Sequence, residues 1–337
     1  MKVKVIGHIP DQDLIVEESN PWHSFLNTFK KSGFEIIKGD LTKSIFDLLI
    51  VNSHSPRSIW RAKELGLTKN RLFMIYWEPL VTYPRIHSKV IRNKYGTVFT
   101  PSKLWASNLR GEYFYFPQPE SNGHIQKFAD WNNRKNSALM VLANKFSAVR
   151  GQNYSLRRLT DKIKNERGEF LVDLYGSQWN QGLFYDFRHY FGQLIRTPIN
   201  KIDFLSWLNL GKKQKNYFGS VEDKIKVSSN YKISLVIENS SEYVSEKLFE
   251  AHQSQTIVIY IGAQLVKENI NPEIAISCRP KLKEIEDQIQ KIIRLSDEDK
   301  YEVMLKQQRV AQIESKKRKN NIVLADLAKA IMKKSLS

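Results

Sequence analysis

Residues 232–262 read KISLVIENSSEYVSEKLFEAHQSQTIVIYIG, and the order of residue types in this stretch decides the architecture of the second half of the chain. An apolar run of strand type, Lys232 to Ile237, stops at Glu238-Asn239-Ser240, and a polar loop follows. A helical pattern then runs from Ser245 to Gln253 with Ser245 as N-cap, and Thr256 to Tyr260 is again an apolar strand. Strand, helix and strand in so short a span make a βαβ unit, whose strands lie parallel and are covered on both faces. The loop crosses the C-terminal edge of its strand, where open parallel sheets bind ligands. The first turn of the next helix presents unpaired N–H groups and a partial positive charge, a setting for phosphate. Lys247 adds a full charge there, and Glu246 can accept hydrogen bonds from ribose or sugar hydroxyls.

The same alternation extends in both directions. Upstream, strand patterns at Ala138 to Ala143 and Phe170 to Tyr175 flank a helix from about Tyr154 to Asn165, and a less regular stretch fills Gly176 to about Val227. The first part of the chain alternates as well: strands at Lys2 to Ile6, Phe34 to Ile37, Asp47 to Val51, Leu72 to Trp77, Gly96 to Thr100 and Tyr113 to Phe116, with helices at Pro21 to Ser32, Pro56 to Leu65 and from Ser102. Between them the text PQPESNGHIQKFADWNNRKN, polar and turn-rich, reads as a linker. The expected organisation is an α/β domain at 1–118, a linker at 119–136, a second α/β domain at 137–294 and basic helices at 295–337. In the last part Leu282, Ile285, Ile289 and Ile292 make one apolar face, and Ser296 with Asp299 reads as a helix cap.

A chain of 337 residues with 41% hydrophobic side chains can fill two cores. Its mean hydropathy of -0.45 and the lack of a bilayer-length apolar run describe a water-soluble protein, and the start MKVKVIGHIP lacks a secretory signal, so a cytoplasmic location is expected. The single cysteine, Cys278, excludes an internal disulfide framework and a multi-cysteine zinc site. The net charge of +18 favours anionic partners. Zinc-finger spacing, RNP-type aromatic motifs and basic-region heptads are all missing, so nucleic acid is not the expected partner. A nucleoside diphosphate and anionic lipid head groups fit better. The run Lys316-Lys317-Arg318-Lys319, followed by Ile322, Val323, Leu327 and Ile331, suits either attachment to the inner face of a membrane or packing back onto the two domains.

The apolar strand, Glu238-Asn239-Ser240, Tyr243-Val-Ser-Glu-Lys247, the alanine-containing helix and the strand ending Tyr260-Ile-Gly262 together resemble the donor-binding motif of the α1,3/α1,4-fucosyltransferases, glycosyltransferase family 10. Upstream, Val141-Leu-Ala-Asn144 ends a strand and Arg150 follows at the family's spacing for a donor-phosphate arginine. The resemblance covers most of the second half and little of the first. It implies a GT-B fold, two facing Rossmann-like domains with a helical C-terminal segment, and an inverting, metal-independent transfer of fucose from GDP-fucose to a glycan acceptor, free or lipid-linked. The donor would be held by Arg150, Asn144, Glu238, Asn239, Ser240, Tyr243, Ser245, Glu246 and Lys247. The chain departs from the family in a shorter loop after Ser240, in Val258 where proline is usual and in Ile261 where tryptophan is usual.

An inverting transfer needs a group that takes the acceptor proton. Glu78, in Tyr76-Trp77-Glu78-Pro79, comes directly after a strand and resembles the family's acidic residue in an equivalent loop. No cofactor and no metal are expected: Asp11-Gln12-Asp13 and Asp297-Glu298-Asp299 imitate Asp-x-Asp out of place, and the histidines have no ligand spacing. Two rivals remain, a transferase of another nucleotide-activated sugar and a basic nucleic-acid or membrane-surface binding protein on a degenerate transferase fold.

Overall fold

The alternation in the first part of the chain folds as one parallel sheet. Its elements are β1 (Lys2–Ile6), α1 (His23–Lys31), β2 (Glu35–Ile36), β3 (Leu48–Asn52), α2 (Pro56–Glu64), β4 (Leu72–Ile75), α3 (Lys89–Arg92), β5 (Thr97–Thr100), α4 (Lys103–Leu109) and β6 (Glu112–Tyr113). The strand order is β2-β1-β3-β4-β5-β6, every pair parallel. The central strand β3, LLIVN, is buried at every residue, as a strand covered on both faces must be. Helix starts are where local chemistry puts them: Ser55 caps α2 by accepting from Ser58 N, and Ser102 caps α4 by accepting from Trp105 N.

The second set of elements is β7 (Lys135–Val141), α5 (Tyr154–Arg157), β8 (Val172–Tyr175), α6 (Leu183–Leu194), β9 (Tyr217–Gly219), α7 (Lys224–Ser228), β10 (Tyr231–Ile237), α8 (Lys247–Gln253), β11 (Ile257–Ile261), β12 (Ile276–Ser277), α9 (Leu282–Ile293) and α10 (Asp297–Lys316), before a final helix α11 (Asn320–Leu336). This computed structural model describes residues 1–6, 22–37, 40–52, 54–77, 88–117, 130–144, 153–195, 197, 199, 202–203, 208, 210–211 and 213–336. The chain divides into two compact units, Met1–Glu120 with Lys316–Ser337, and Ser121–Ser315.

The sheet of the second unit has the order β12-β11-β10-β7-β8-β9, again all parallel. Alternation along β10 and β11 sorts their side chains between two layers. Ile233, Leu235, Ile237, Ile257, Ile259 and Ile261 share a core with Ile285, Ile289 and Ile292 of α9 and Met304 of α10. Val236, Val258 and Tyr260 face the other way, against Leu248, Phe249 and Ala251 of α8. Full burial of each such aliphatic side chain is worth about 1.5–3 kcal/mol. Where β12 is too short to reach, the Gln307 side chain substitutes for a strand: Val258 N donates to its Oε1 at 2.8 Å, and its Nε2 donates to Val258 O at 3.3 Å. A proline at 258 would lose the first of these bonds.

Three expectations need correction. The helix expected from Tyr154 to Asn165 is only α5 and a 3₁₀ turn at Thr160–Lys162. Thr160 Oγ1 donates to Arg157 O at 3.0 Å, and the chain then pairs Lys164 with Phe170 in an antiparallel bridge, which competes with helical continuation. The stretch read as irregular contains α6, β9 and α7. Helix α8 begins at Lys247 with Glu246, in right-handed helical conformation, at the N-cap position in place of Ser245.

The basic helices do not act as one segment. Helix α10 belongs to the second unit, whereas α11 lies in the first, burying Val323, Leu324, Leu327, Ala328, Ile331 and Met332 with Phe25, Leu26 and Phe29 of α1. Ser296 and Asp299 are hydrogen-bonded at the start of α10, Asp299 N donating to Ser296 Oγ at 3.0 Å. No helix among the described residues is long and apolar enough to cross a membrane.

Candidate functional site at a topological switch point

In the second unit the chain lays down β7, β8 and β9 in one direction, then returns so that β10 pairs with β7 on its other side. The connections leaving β7 and β10 therefore run in opposite directions and open a crevice at the C-terminal ends of these two strands. Glu238 comes directly after β10, and Asn144 lies just past β7.

Glu238 is wholly buried, and its carboxylate is filled by the chain's own donors. Ser245 N donates to Oε1 at 2.8 Å, Ser245 Oγ lies 2.8 Å from both oxygens, and Lys247 Nζ donates to Oε2 at 3.2 Å. Ser245 Oγ also accepts from Lys247 N at 3.3 Å, so it serves as a side-chain cap from one residue before the N-cap position. A buried carboxylate with this many charged and polar donors is tolerated, and losing one partner is costly. The arrangement fixes the loop from 238 to 247 and leaves Lys247 partly exposed beside the start of α8.

Gly262 belongs to the same cluster. A Cβ there would collide with the Tyr260 hydroxyl and come within 2.7 Å of Glu238 Cγ, so only glycine lets the tyrosine, the glutamate and the turn after β11 coexist. The Tyr260 phenol is buried beside Glu238, and both burial and that charge raise its pKa, keeping it neutral. Glu246 differs from Glu238: it is half-buried and stands at the N-cap position of α8. Burial raises its carboxyl above the usual range, Lys247 opposes the shift, and Glu238 adds to it.

Two adjacent arginines hold the sides of the crevice. Arg157 Nη2 donates to Ile237 O at 2.5 Å and to Asn239 Oδ1 at 2.7 Å, while Asn153 Nδ2 donates to Glu238 O at 3.2 Å, so the β10 loop is clamped from α5. Arg158 Nη2 donates to Asn144 Oδ1 at 2.9 Å and to Asp186 Oδ1 at 2.8 Å, which ties the β7 loop to α6. Asn144 Nδ2 in turn donates to Gln178 O at 3.0 Å. Gly176, at φ 130°, lies against the Leu142 carbonyl where no side chain would fit.

Of the residues singled out in the sequence, Glu238, Ser245 and Lys247 are in mutual contact, with Glu246 adjacent, and Asn239 joins them through Arg157 and Asn153. Ser240 is buried and its Oγ accepts from Glu242 N at 3.2 Å; Tyr243 is buried in the same loop. Asn144 lies in the Arg158 network. Glu78 and Arg150 fall outside the described residues. Sequence reasoning passed over Arg157, Arg158 and Asn153. The visible signal was an Arg-Arg pair beside leucines in YSLRRL, within a few residues of the end of β7's loop, where a charged pair in an apolar setting calls for buried partners.

In the first unit the described residues at the corresponding edge include two neutral pairs. Asn52, at the end of β3, accepts from Trp77 Nε1 at 2.7 Å, and His54 Nδ1 lies 2.8 Å from the Tyr95 hydroxyl. Burial lowers the His54 pKa, assisted by Lys94. Among the described residues no group of three or more His, Cys, Asp or Glu side chains could hold a metal ion.

No protein-family model matches the chain, and no curated protein matches it in sequence. Solved structures do match it in fold. An α1,3-fucosyltransferase with GDP superposes with a TM-score of 0.53 at 16% identity, covering 100% of this chain and 90% of that one. HepE of Anabaena in complex with UDP gives 0.53 at 11% identity, covering 98% and 99%. Trehalose-6-phosphate synthase, studied for glycosyl transfer with retention, gives 0.56 at 10% identity, covering 98% and 99%. The chain has the GT-B fold, two Rossmann-like parallel six-stranded sheets with their helices.

Proposed function

We propose that this chain is a glycosyltransferase that takes a nucleotide-activated sugar, and that it transfers fucose from GDP-fucose to a hydroxyl of a glycan acceptor. The observation that carries the reading is the Glu238–Ser245–Lys247 cluster at the switch point of the second sheet, in the residue order that resembles a fucosyltransferase donor motif. Similar folds solved with GDP and UDP support nucleotide binding as the use of such a crevice.

In this reading residues 137–294 form the donor domain and 1–118 the acceptor domain. Lys247 and Arg150 oppose the charge that develops on the departing diphosphate. Glu246 accepts hydrogen bonds from ribose or sugar hydroxyls. Glu238 acts from inside, setting the position of Lys247 and the first turn of α8. Asn144, Asn239, Ser240 and Tyr243 shape the two loops around the donor. Glu78 takes the proton of the attacking hydroxyl, which gives inversion in a single displacement without a metal. The protein works in the cytoplasm at an anionic membrane face, with Lys316, Lys317 and Lys319 outside the core while Arg318 is buried over the Tyr115 ring.

The test is a thermal-shift and donor-hydrolysis panel of GDP, UDP and their sugars, with and without EDTA. GDP at roughly 100 times its dissociation constant adds about 2.7 kcal/mol of stability. Stabilisation and turnover with UDP-sugars alone would replace the donor. Loss of activity in EDTA would end the metal-free mechanism, and no response to any nucleotide would end the transferase reading.

A further inference from the structure

Helix α6 is built with its apolar side outward. Phe184, Phe187, Phe191 and Ile195 recur at the spacing of one helical face and are 80%, 47%, 46% and 76% exposed. The Phe187 and Phe191 rings touch, with centroids 4.5 Å apart. The inward side carries Asp186, buried against Arg158 and accepting from Gly211 N at 2.9 Å, and Tyr190, buried with Leu194 and Leu210. The Arg158–Asp186 pair thus sets the rotation of the helix, and a patch of phenylalanines is left in water. Among the described residues that come after α6 in the chain, Ile199, Leu208 and Phe218 are exposed too. Soluble proteins rarely leave so many large apolar groups together without a partner.

Charge decides among partners. Residues 183–218 hold six Lys and Arg against two Asp. Of the aspartates, Asp186 is consumed by Arg158 and Asp203 is half-buried, whereas Arg188, Lys213 and Lys215 are exposed. A second copy of a chain with net charge +18 would set like charges against each other across this face. An anionic bilayer accepts both features, taking the rings at the acyl boundary and the cations at the phosphates. We propose that the outward face of α6, with the exposed cations Arg188, Lys213 and Lys215, docks the protein on an anionic lipid surface. The apolar side of α11 is already buried, so the basic C-terminal run brings charge without an inserting face.

The experiment is sedimentation of the full chain with vesicles of phosphatidylcholine alone or with about one third phosphatidylglycerol, at low and high salt. The wild-type protein binds the anionic vesicles and leaves them at high salt. The triple variant Phe184→Ser, Phe187→Ser, Phe191→Ser binds at least about tenfold more weakly, and Lys213→Glu with Lys215→Glu weakens binding in the same direction. Ile313→Ser, an exposed apolar position on α10, binds like the wild type. All substitutions are at exposed positions, and circular dichroism confirms the fold. Undiminished vesicle binding by the triple variant, or no vesicle binding by the wild type, overturns the proposal. A wild-type dimer in sedimentation velocity that the triple variant dissociates, without vesicle binding, assigns the face to a second copy. The readout is lipid binding alone, so it stands apart from the outcome of the sugar-nucleotide panel.

Discussion

The two sheets share a plan and differ in what they place at the C-terminal edge. In the first unit the described residues beyond β3 are tied by neutral partners, Asn52 with Trp77 and His54 with Tyr95. In the second, β7 and β10 end in buried charge: Glu238 with Lys247, Arg158 with Asp186, and Arg157 on backbone and amide oxygens. Buried charges demand complete partner sets, so they make one loop arrangement far more favourable than any other. The neutral pairs described beyond β3 carry no such demand. The same strand order can thus carry loops fixed by buried charge and loops joined by neutral pairs.

The largest break in that comparison comes from Glu78. Its replacement by glutamine lowers turnover by about 10² to 10⁴-fold while GDP binding by calorimetry stays near wild type, whereas Lys247→Ala weakens both. Near-normal turnover would remove Glu78 as the base and with it the catalytic role of the first unit. Next in size, Arg158→Met leaves Asp186 charged and unpaired and destabilises the protein by about 3–5 kcal/mol in chemical denaturation. Adding Asp186→Leu restores much of the loss, and a purely additive pair would show that the two groups are not coupled.

His252, on the buried side of α8, sharpens the contrast through pH. Burial lowers its pKa from 6.5 to about 4. The folded state therefore holds the neutral ring while the unfolded chain protonates. The stability it contributes is full above pH 6.5 and falls by about 3 kcal/mol as pH drops toward 4. His252→Leu flattens that limb of the stability curve, and an unchanged slope would show that the acid loss comes from elsewhere.

Glu246 gives the opposite sign. With its carboxyl raised by burial, the folded protein binds the extra proton, so stability falls as pH rises from the ordinary carboxylate range through the raised value. Glu246→Gln is then more stable than the wild type at neutral pH, equal to it in acid, and weaker for GDP-sugars. The smallest effect belongs to the neutral edge: Asn52→Ala removes the bond from Trp77 and costs about 0.5–1.5 kcal/mol, leaving GDP affinity unchanged. A loss as large as that of Arg158→Met would erase the distinction between the two edges.

The strands were legible because each is a short apolar run whose neighbours stop it. Ile233, Leu235 and Ile237 alternate with Ser234 and Val236, and β10 and β11 lie within a residue of where that alternation places them. The apolar face of α9 and the Ser296–Asp299 cap were equally local, since the interacting groups are three or four residues apart. The cluster in the loop after β10 was legible for the same reason: Glu238, Ser245 and Lys247 lie within ten residues of one another. Each of these depends on dihedral preference, hydrophobic period or a near-neighbour bond, all of which the residue order contains.

Other features depend on pairs far apart in the chain. That β10 returns to pair with β7, and so creates the switch point, is decided by which sheet edge is open when it arrives. The premature end of α5 reflects the pairing of Lys164 with Phe170, and the partners of Arg157 and Arg158 come from β10 and α6. The orientation of α6 shows the limit most sharply, because its phenylalanines alone read as a core-facing stripe. In the fold the inward side of the helix is taken instead by Asp186, paired with Arg158, and by Tyr190. By itself the residue order settled the strands, most of the helices and the near-neighbour contacts of the loop from Glu238 to Lys247, because those contacts are local. The tertiary structure decided the strand order, the arginine clamps and the outward face of α6, because each is a competition between distant partners for one buried place.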